Sequence, residues 1–103
     1  MNLIGKWKLV SREGSDNPPR SIRVFYDKAD GVKYTWDDKG REPDKQHEEG
    51  VWWYGMGHGV NHNLLHCEHD GTSESYRVHV HRSIMIIHRM LPTVGLLAIY
   101  TKA

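Results

Sequence analysis

The chain has 103 residues, 14 of them lysine or arginine and 13 aspartate or glutamate, for a formal net charge of +1 with neutral histidines; it carries four tryptophans, five tyrosines and one cysteine. That length holds one domain, residues 1–103, with one modest core, and the balanced charge excludes the basic excess that drives non-specific binding to nucleic acid or acidic membranes. The lone Cys67 excludes an internal disulfide and an all-cysteine metal site, and it fits a reducing compartment.

The first residues, Met1-Asn-Leu-Ile-Gly-Lys-Trp7, lack the apolar run of a signal peptide, and no stretch reaches membrane-spanning length. The expectation is a cytoplasmic protein with no membrane insertion. Leu3 to Glu13 reads as a first strand, because Leu3, Gly5, Trp7 and Leu9 alternate with Ile4, Lys6, Lys8 and Val10. Gly14 to Arg20, with Pro18 and Pro19, is a loop. Ile22 to Tyr26 and Val32 to Trp36 form a hairpin across Asp27 to Gly31. Its expected inward face is Ile22, Val24 and Tyr26, then Val32, Tyr34 and Trp36. Asp37 to Gly50, which includes Gly40 and Pro43, is too polar for a core strand and reads as a long loop or an exposed turn of helix. Val51 to Met56 is a fourth strand, followed by a glycine-rich turn to Asn63. Gly55, Gly57 and Gly59 precede no helix, so a dinucleotide fingerprint is excluded.

Leu64 to Tyr100 then reads as a meander. Leu64 to His69, Ser73 to His81, Ile84 to Met90 and Val94 to Tyr100 are strands, with a turn at Asp70-Gly71. The total is about eight strands and no amphipathic helix, a number at which an antiparallel up-and-down meander closes into a barrel and loses its sheet edges.

Gly5-Lys-Trp-Lys-Leu-Val-Ser11 resembles the opening strand of the intracellular fatty-acid-binding proteins and, more loosely, the Gly-x-Trp motif of lipocalins. Asp70-Gly71 falls at a hairpin turn of the former family, Ile84 to Met90 resembles its penultimate strand, and Ala98 to Ala103 its closing strand. The resemblance covers about half the chain and implies a short, divergent lipocalin-like barrel of the calycin superfamily. The two-helix lid of the fatty-acid-binding proteins has no counterpart between the first strand and Ile22. That family holds a carboxylate with two inward arginines and a tyrosine. Val78 and Ala98 stand at the arginine positions here, and only Tyr100 remains. The resemblance therefore implies the barrel without fatty-acid binding, because an apolar lining disfavours an unpaired carboxylate.

Five of the eight histidines lie between Leu64 and Tyr100. His79-x-His81 has a metal-ligand spacing, with His66 or His88 as a third ligand. Alternation argues against it, since Tyr76, Val78 and Val80 make the natural interior and Arg77, His79 and His81 the solvated face. Cys67 and His69 share parity with Leu65, and His88 shares parity with Ile84 and Ile86. These three are the candidates for acid–base or nucleophilic work inside a cavity. Trp53 and Trp7 are expected inside; Trp52 and Tyr54 fall on the opposite face, where they would either cover a neighbouring element or form a homodimer interface. Arg82 and Arg89 read as surface.

The reading that results is a binding protein for a small hydrophobic or aromatic, uncharged molecule, with no cofactor. Its pocket would be lined by Trp7, Val24, Tyr34, Trp53, Tyr76, Val78, Ile86, Leu96, Ala98 and Tyr100. The alternatives are a small barrel enzyme of isomerase, cyclase or hydratase type, a histidine-ligated metal protein, and a homodimeric interaction module.

Overall fold

Trp7 and Leu9 fall on one face of β1 (Gly5–Arg12) and are buried, while Lys6 and Lys8 fall on the other and are exposed. The same period of two, repeated seven more times, builds the molecule. A computed structural model describes residues 2–55 and 64–103 of the chain. The remaining strands are β2 (Ser21–Phe25), β3 (Lys33–Asp38), β4 (His47–Gly55), β5 (Leu64–His69), β6 (Thr72–His81), β7 (Ile84–Leu91) and β8 (Leu97–Lys102). Each pairs antiparallel with its neighbour in sequence, and β1 pairs with β8, giving a closed eight-stranded up-and-down barrel. Closure leaves no strand edge unpaired. Among the described residues, helix is confined to 3-10 turns at Lys28–Asp30 and Pro43–Lys45, and none is long and apolar enough to cross a membrane. Residues 13–20 carry β1 into β2 with no helical lid.

Two local features fix the register. Asp70 and Gly71 both take left-handed φ, 48° and 76°, and His69 pairs with Thr72, so a two-residue loop closes the β5–β6 hairpin. Gly50 lies opposite Tyr34, and a Cβ there would overlap the Glu68 carbonyl and the Tyr34 ring. The backbones of β4 and β5 approach at this point, and the tyrosine covers the bare position.

The interior holds Leu3, Trp7, Leu9, Phe25, Tyr34, Leu65, Cys67, Tyr76, Met85, Ile87, Ala98 and Tyr100, with Trp36, Trp52, Val78 and Val80 packed against them. Several faces differ from the sequence expectation. On β2 the inward residues are Arg23 and Phe25, opposite Trp36 and Tyr34, so Ile22, Val24 and Tyr26 belong to the outer parity. Val32 precedes β3 and is exposed. On β4 Trp52 points inward, edge-on to Phe25 with ring centroids 5.7 Å apart, and its indole N–H donates to the Tyr26 carbonyl. Trp53 is outside, stacked on His66, and the dimer face expected from Trp52 is therefore not formed by that residue. Tyr54 shares the Trp52 parity and is exposed near the end of the strand. On β7 Met85 and Ile87 are buried, which turns Ile84, Ile86 and His88 outward.

On β4 and β7 both parities carry apolar side chains and packing selects the better-fitting set, whereas on β2 the inward set is Ser21, Arg23 and Phe25, held by polar and aromatic partners on other strands. Leu96 and Val94 precede β8 and are exposed. The polar segment from Asp37 is partly strand, with β3 ending at Asp38 and β4 starting at His47, because the barrel has polar partners for it. Met56 and most of the glycine-rich turn, including Gly57 and Gly59, lie outside the described residues.

Candidate functional site

Cross-strand pairing places Trp7, Arg23, Trp36 and Glu48 in one row across β1 to β4. Arg23 thus enters the interior between two indoles and is only 6 % exposed. Its guanidinium lies 4.1 Å from the centroid of Trp36, with the Tyr76 and Tyr100 rings at 5.3 and 5.5 Å. Nε donates to the Tyr100 phenol oxygen at 3.0 Å. Tyr100 also shares a 3.1 Å hydrogen bond with Ser21 Oγ, which accepts from Trp36 Nε1 at 2.9 Å. Burial alone lowers the Arg23 pKa, but Tyr100 and Tyr76 outweigh it and hold the group above its ordinary value. It is a permanent cation.

Three other arginines reach the same interior, and each has its own acid. Arg12 meets Asp38 at 3.4 Å, Arg41 meets Glu48 at 3.2 Å and Arg89 meets Glu74 at 3.4 Å. Arg23 makes no ion pair among the described residues, and positions 56–63 contain no aspartate or glutamate. The terminal nitrogens of Arg23 make no hydrogen bond among the described residues either. No fully buried side-chain polar atom there lacks a partner, so these nitrogens open onto a cavity.

That cavity is about 190 Å³. Arg23, Trp36, Tyr76, Ile87, Ala98 and Tyr100 line it, and Arg12, Asp38, Arg89, Gly95 and Leu96 complete the wall. The space has a local cause. Arg12, Ala98 and Ile87 form one cross-strand row over β1, β8 and β7, and the small side chain at its centre leaves the room.

A second polar group adjoins it through Tyr76. The Tyr76 hydroxyl donates to Glu74 Oε2 at 2.7 Å, and the Tyr34 hydroxyl donates to Glu48 Oε2 at 2.6 Å. His69 Nε2 lies between the two carboxylates, 3.2 Å from Glu48 Oε1 and 3.4 Å from Glu74 Oε1. Burial pushes the Glu74 carboxyl up, but the hydrogen bonds from Tyr76 and His69 and the nearby Arg89 outweigh it, leaving Glu74 below the ordinary carboxylate range. Glu48, His69 and Glu74 offer donors within 4.8 Å of one another, the geometry of a metal triad. Arg41 and Arg89 already neutralise both carboxylates, which disfavours a further cation.

No protein-family model, curated protein or solved structure matches this chain. The site must therefore be read from its own chemistry. Of the residues expected to line a pocket, Tyr76, Ala98, Tyr100 and the exposed Leu96 do so, while Trp7, Tyr34 and Val78 pack elsewhere in the interior. Val24, Trp53 and Ile86 face outward. His79 and His81 are exposed and pair with Ile86 and Ile84 across the outer surface, away from His66, which bonds Ser75. His88 donates from Nε2 to the Gly95 carbonyl on the outer side. Cys67 and His69 are inside, but burial pushes the Cys67 thiol up to about 12 against the pull of Arg23, so it is not a neutral-pH thiolate.

Sequence reasoning missed Arg23, Arg12, Asp38, Arg41, Glu48 and Glu74; Arg89, read as surface, is 37 % exposed and also reaches the cavity wall. The available signal was the parity of Arg23 with Phe25 and Ser21.

Proposed function

We propose that this barrel binds a small organic molecule in the Arg23 cavity, with an anionic group of the ligand against the guanidinium. One observation carries the reading: a buried arginine whose terminal nitrogens have no partner among the described residues and face open space. An ion removed from water without a counter-charge costs several kcal/mol, roughly, and a ligand anion offsets that cost when it binds. Ile87, Ala98 and Leu96 supply an apolar wall for the rest of the molecule. The ligand is small and partly apolar, as Tyr76, Ala98 and Tyr100 imply. Arg23 argues for a charged group in place of the uncharged ligand expected from Val78 and Ala98.

Kinship with calycins is part of the same proposal, supported by the eight-stranded up-and-down closure and by Gly5-x-Trp7. A cytoplasmic location is proposed on the single buried thiol.

The test follows the indole N–H of Trp36 by NMR while small organic acids, from formate to benzoate, are added. A saturable shift that disappears in Arg23→Met is expected. No saturable shift with any acid, or the same shift in the variant, sinks the reading.

A second reading, an acid–base enzyme, is favoured by the run Tyr34, Glu48, His69, Glu74, Tyr76, which ends at the cavity wall. Exchange of α-protons with deuterated water by bound acids that carry them, such as acetate and phenylacetate, lost in His69→Gln, supports it; absence of exchange when these acids bind argues for a binder alone.

A further inference from the structure

Resting on the anion-binding reading, we infer that the Arg23 cavity selects a singly charged carboxylate on a compact, ring-sized apolar body, against dianions and against long chains.

The charge selection follows from a count of partners. Three arginines line the cavity, Arg12, Arg23 and Arg89. Arg12 is neutralised by Asp38 and Arg89 by Glu74, each at 3.4 Å, which leaves one positive charge with no counter-charge among the described residues. Asp38 is itself part of the lining and nearly inaccessible to water, at 3 % exposure. A second negative charge on the ligand finds no further unpaired cation in the lining, because Asp38 already holds Arg12. The donor geometry agrees. Nε is committed to Tyr100 and the guanidinium carbon sits over the Trp36 ring, so the two terminal nitrogens, planar with it by their chemistry, remain. A planar carboxylate matches two such parallel donors.

The size selection follows from volume. A dry cavity of about 150 Å³ holds benzene. The 190 Å³ here holds such a ring and one carboxylate, and a longer chain passes the exposed Leu96 into solvent, where it gains no further burial. The body of the ligand meets Ile87 and Ala98, and Leu96 at the exposed side.

Calorimetric titration at neutral pH with benzoate, phenyl phosphate, benzyl alcohol and laurate tests both parts. Benzoate is expected to bind at least about tenfold more tightly than the other three. Asp38→Asn keeps the oxygen that accepts from Gly40 N–H while removing the charge, and it is expected to narrow the gap between benzoate and phenyl phosphate by about tenfold. Arg23→Met is expected to lose benzoate and keep benzyl alcohol.

Phenyl phosphate binding as tightly as benzoate to the parent, or a gap unchanged in Asp38→Asn, overturns the charge selection while anion binding stands. Laurate binding as tightly as benzoate overturns the size selection alone. Benzyl alcohol matching benzoate, with no effect of Arg23→Met, overturns the anion reading as well. Failure of all four to bind overturns the binding function itself.

Discussion

Arg23 and Tyr100 are 77 residues apart in sequence and meet inside the barrel, Nε to phenol oxygen at 3.0 Å. The contact spans β2 and β8, two strands separated by β1, and it holds a cation at the cavity wall. Its consequence for stability is asymmetric. Removing the acceptor leaves a charged buried donor without a partner, whereas removing the charge leaves only a neutral phenol, still bonded to Ser21.

Tyr100→Phe is therefore expected to destabilise the fold by about 1–3 kcal/mol although it removes a single oxygen. Arg23→Met, of similar length, is expected to be within about 1 kcal/mol of the parent or more stable than it. Urea denaturation of the two variants checks this. An Arg23→Met protein that loses more stability than Tyr100→Phe would show that the guanidinium serves packing, through its stack on Trp36, rather than a ligand.

Gly50→Ala tests the close approach of β4 and β5. The added methyl meets the Glu68 carbonyl, which is backbone and cannot rotate aside, as well as the Tyr34 ring. Overpacking of this kind costs about 1–3 kcal/mol. Gly71→Ala meets no atom but must hold a left-handed φ of 76°, at a cost of about 1 kcal/mol. Thermal unfolding should thus rank Gly50→Ala as the less stable, and the reverse order would mean that the strands separate at little cost.

The strand count and the meander order were legible in the sequence because turn residues and alternation mark them, as at Asp70-Gly71 and along Tyr76, Val78 and Val80. Orientation was legible only where the two faces differ in polarity. Lys6 and Lys8 against Trp7 and Leu9 fix β1, but Ile84-Met-Ile-Ile87 and Trp52-Trp53 are apolar at both parities, and there the choice is made by partners on other strands. Arg23 is the opposite difficulty. Its inward turn contradicts the ordinary preference of a charge for water. Only the distant Trp36, Tyr100 and Ser21 make it tolerable. The polar Asp37 to Gly50 segment is loop with an exposed 3-10 turn at Pro43–Lys45, as its composition implies, but its two ends join β3 and β4, where interior partners accept their polar side chains.

Cys67 is expected to be inert in the native protein. Burial holds its thiol at about 12, so the thiolate fraction at neutral pH is very small. A disulfide reagent at pH 7 should react with it only on unfolding, and Cys67→Ala should leave benzoate affinity unchanged. Rapid labelling of the folded chain would restore Cys67 as a nucleophile.

The pH dependence of stability separates the interior from the surface. Glu74 titrates below its ordinary value of 4.5, so its folded form binds protons less readily than its unfolded form. Its contribution is complete above that value and is lost as pH falls through the lower folded pKa. Glu74→Gln should therefore flatten the acid limb of a stability curve below about pH 4.5. His47 has the opposite sign. Hydrogen bonds to Asp37 and Glu49 raise it above its ordinary 6.5, so its contribution is complete below that value and fades as pH rises through the raised one. This pair is more than half exposed and is screened by salt, so its share is small and should vanish at high ionic strength. Denaturation midpoints from pH 3 to 8, in low and high salt, measure both limbs. An acid limb equally steep in Glu74→Gln would place the proton-linked carboxylate elsewhere and remove the case for an ordered Glu74, Tyr76 and Arg89 cluster at the cavity wall.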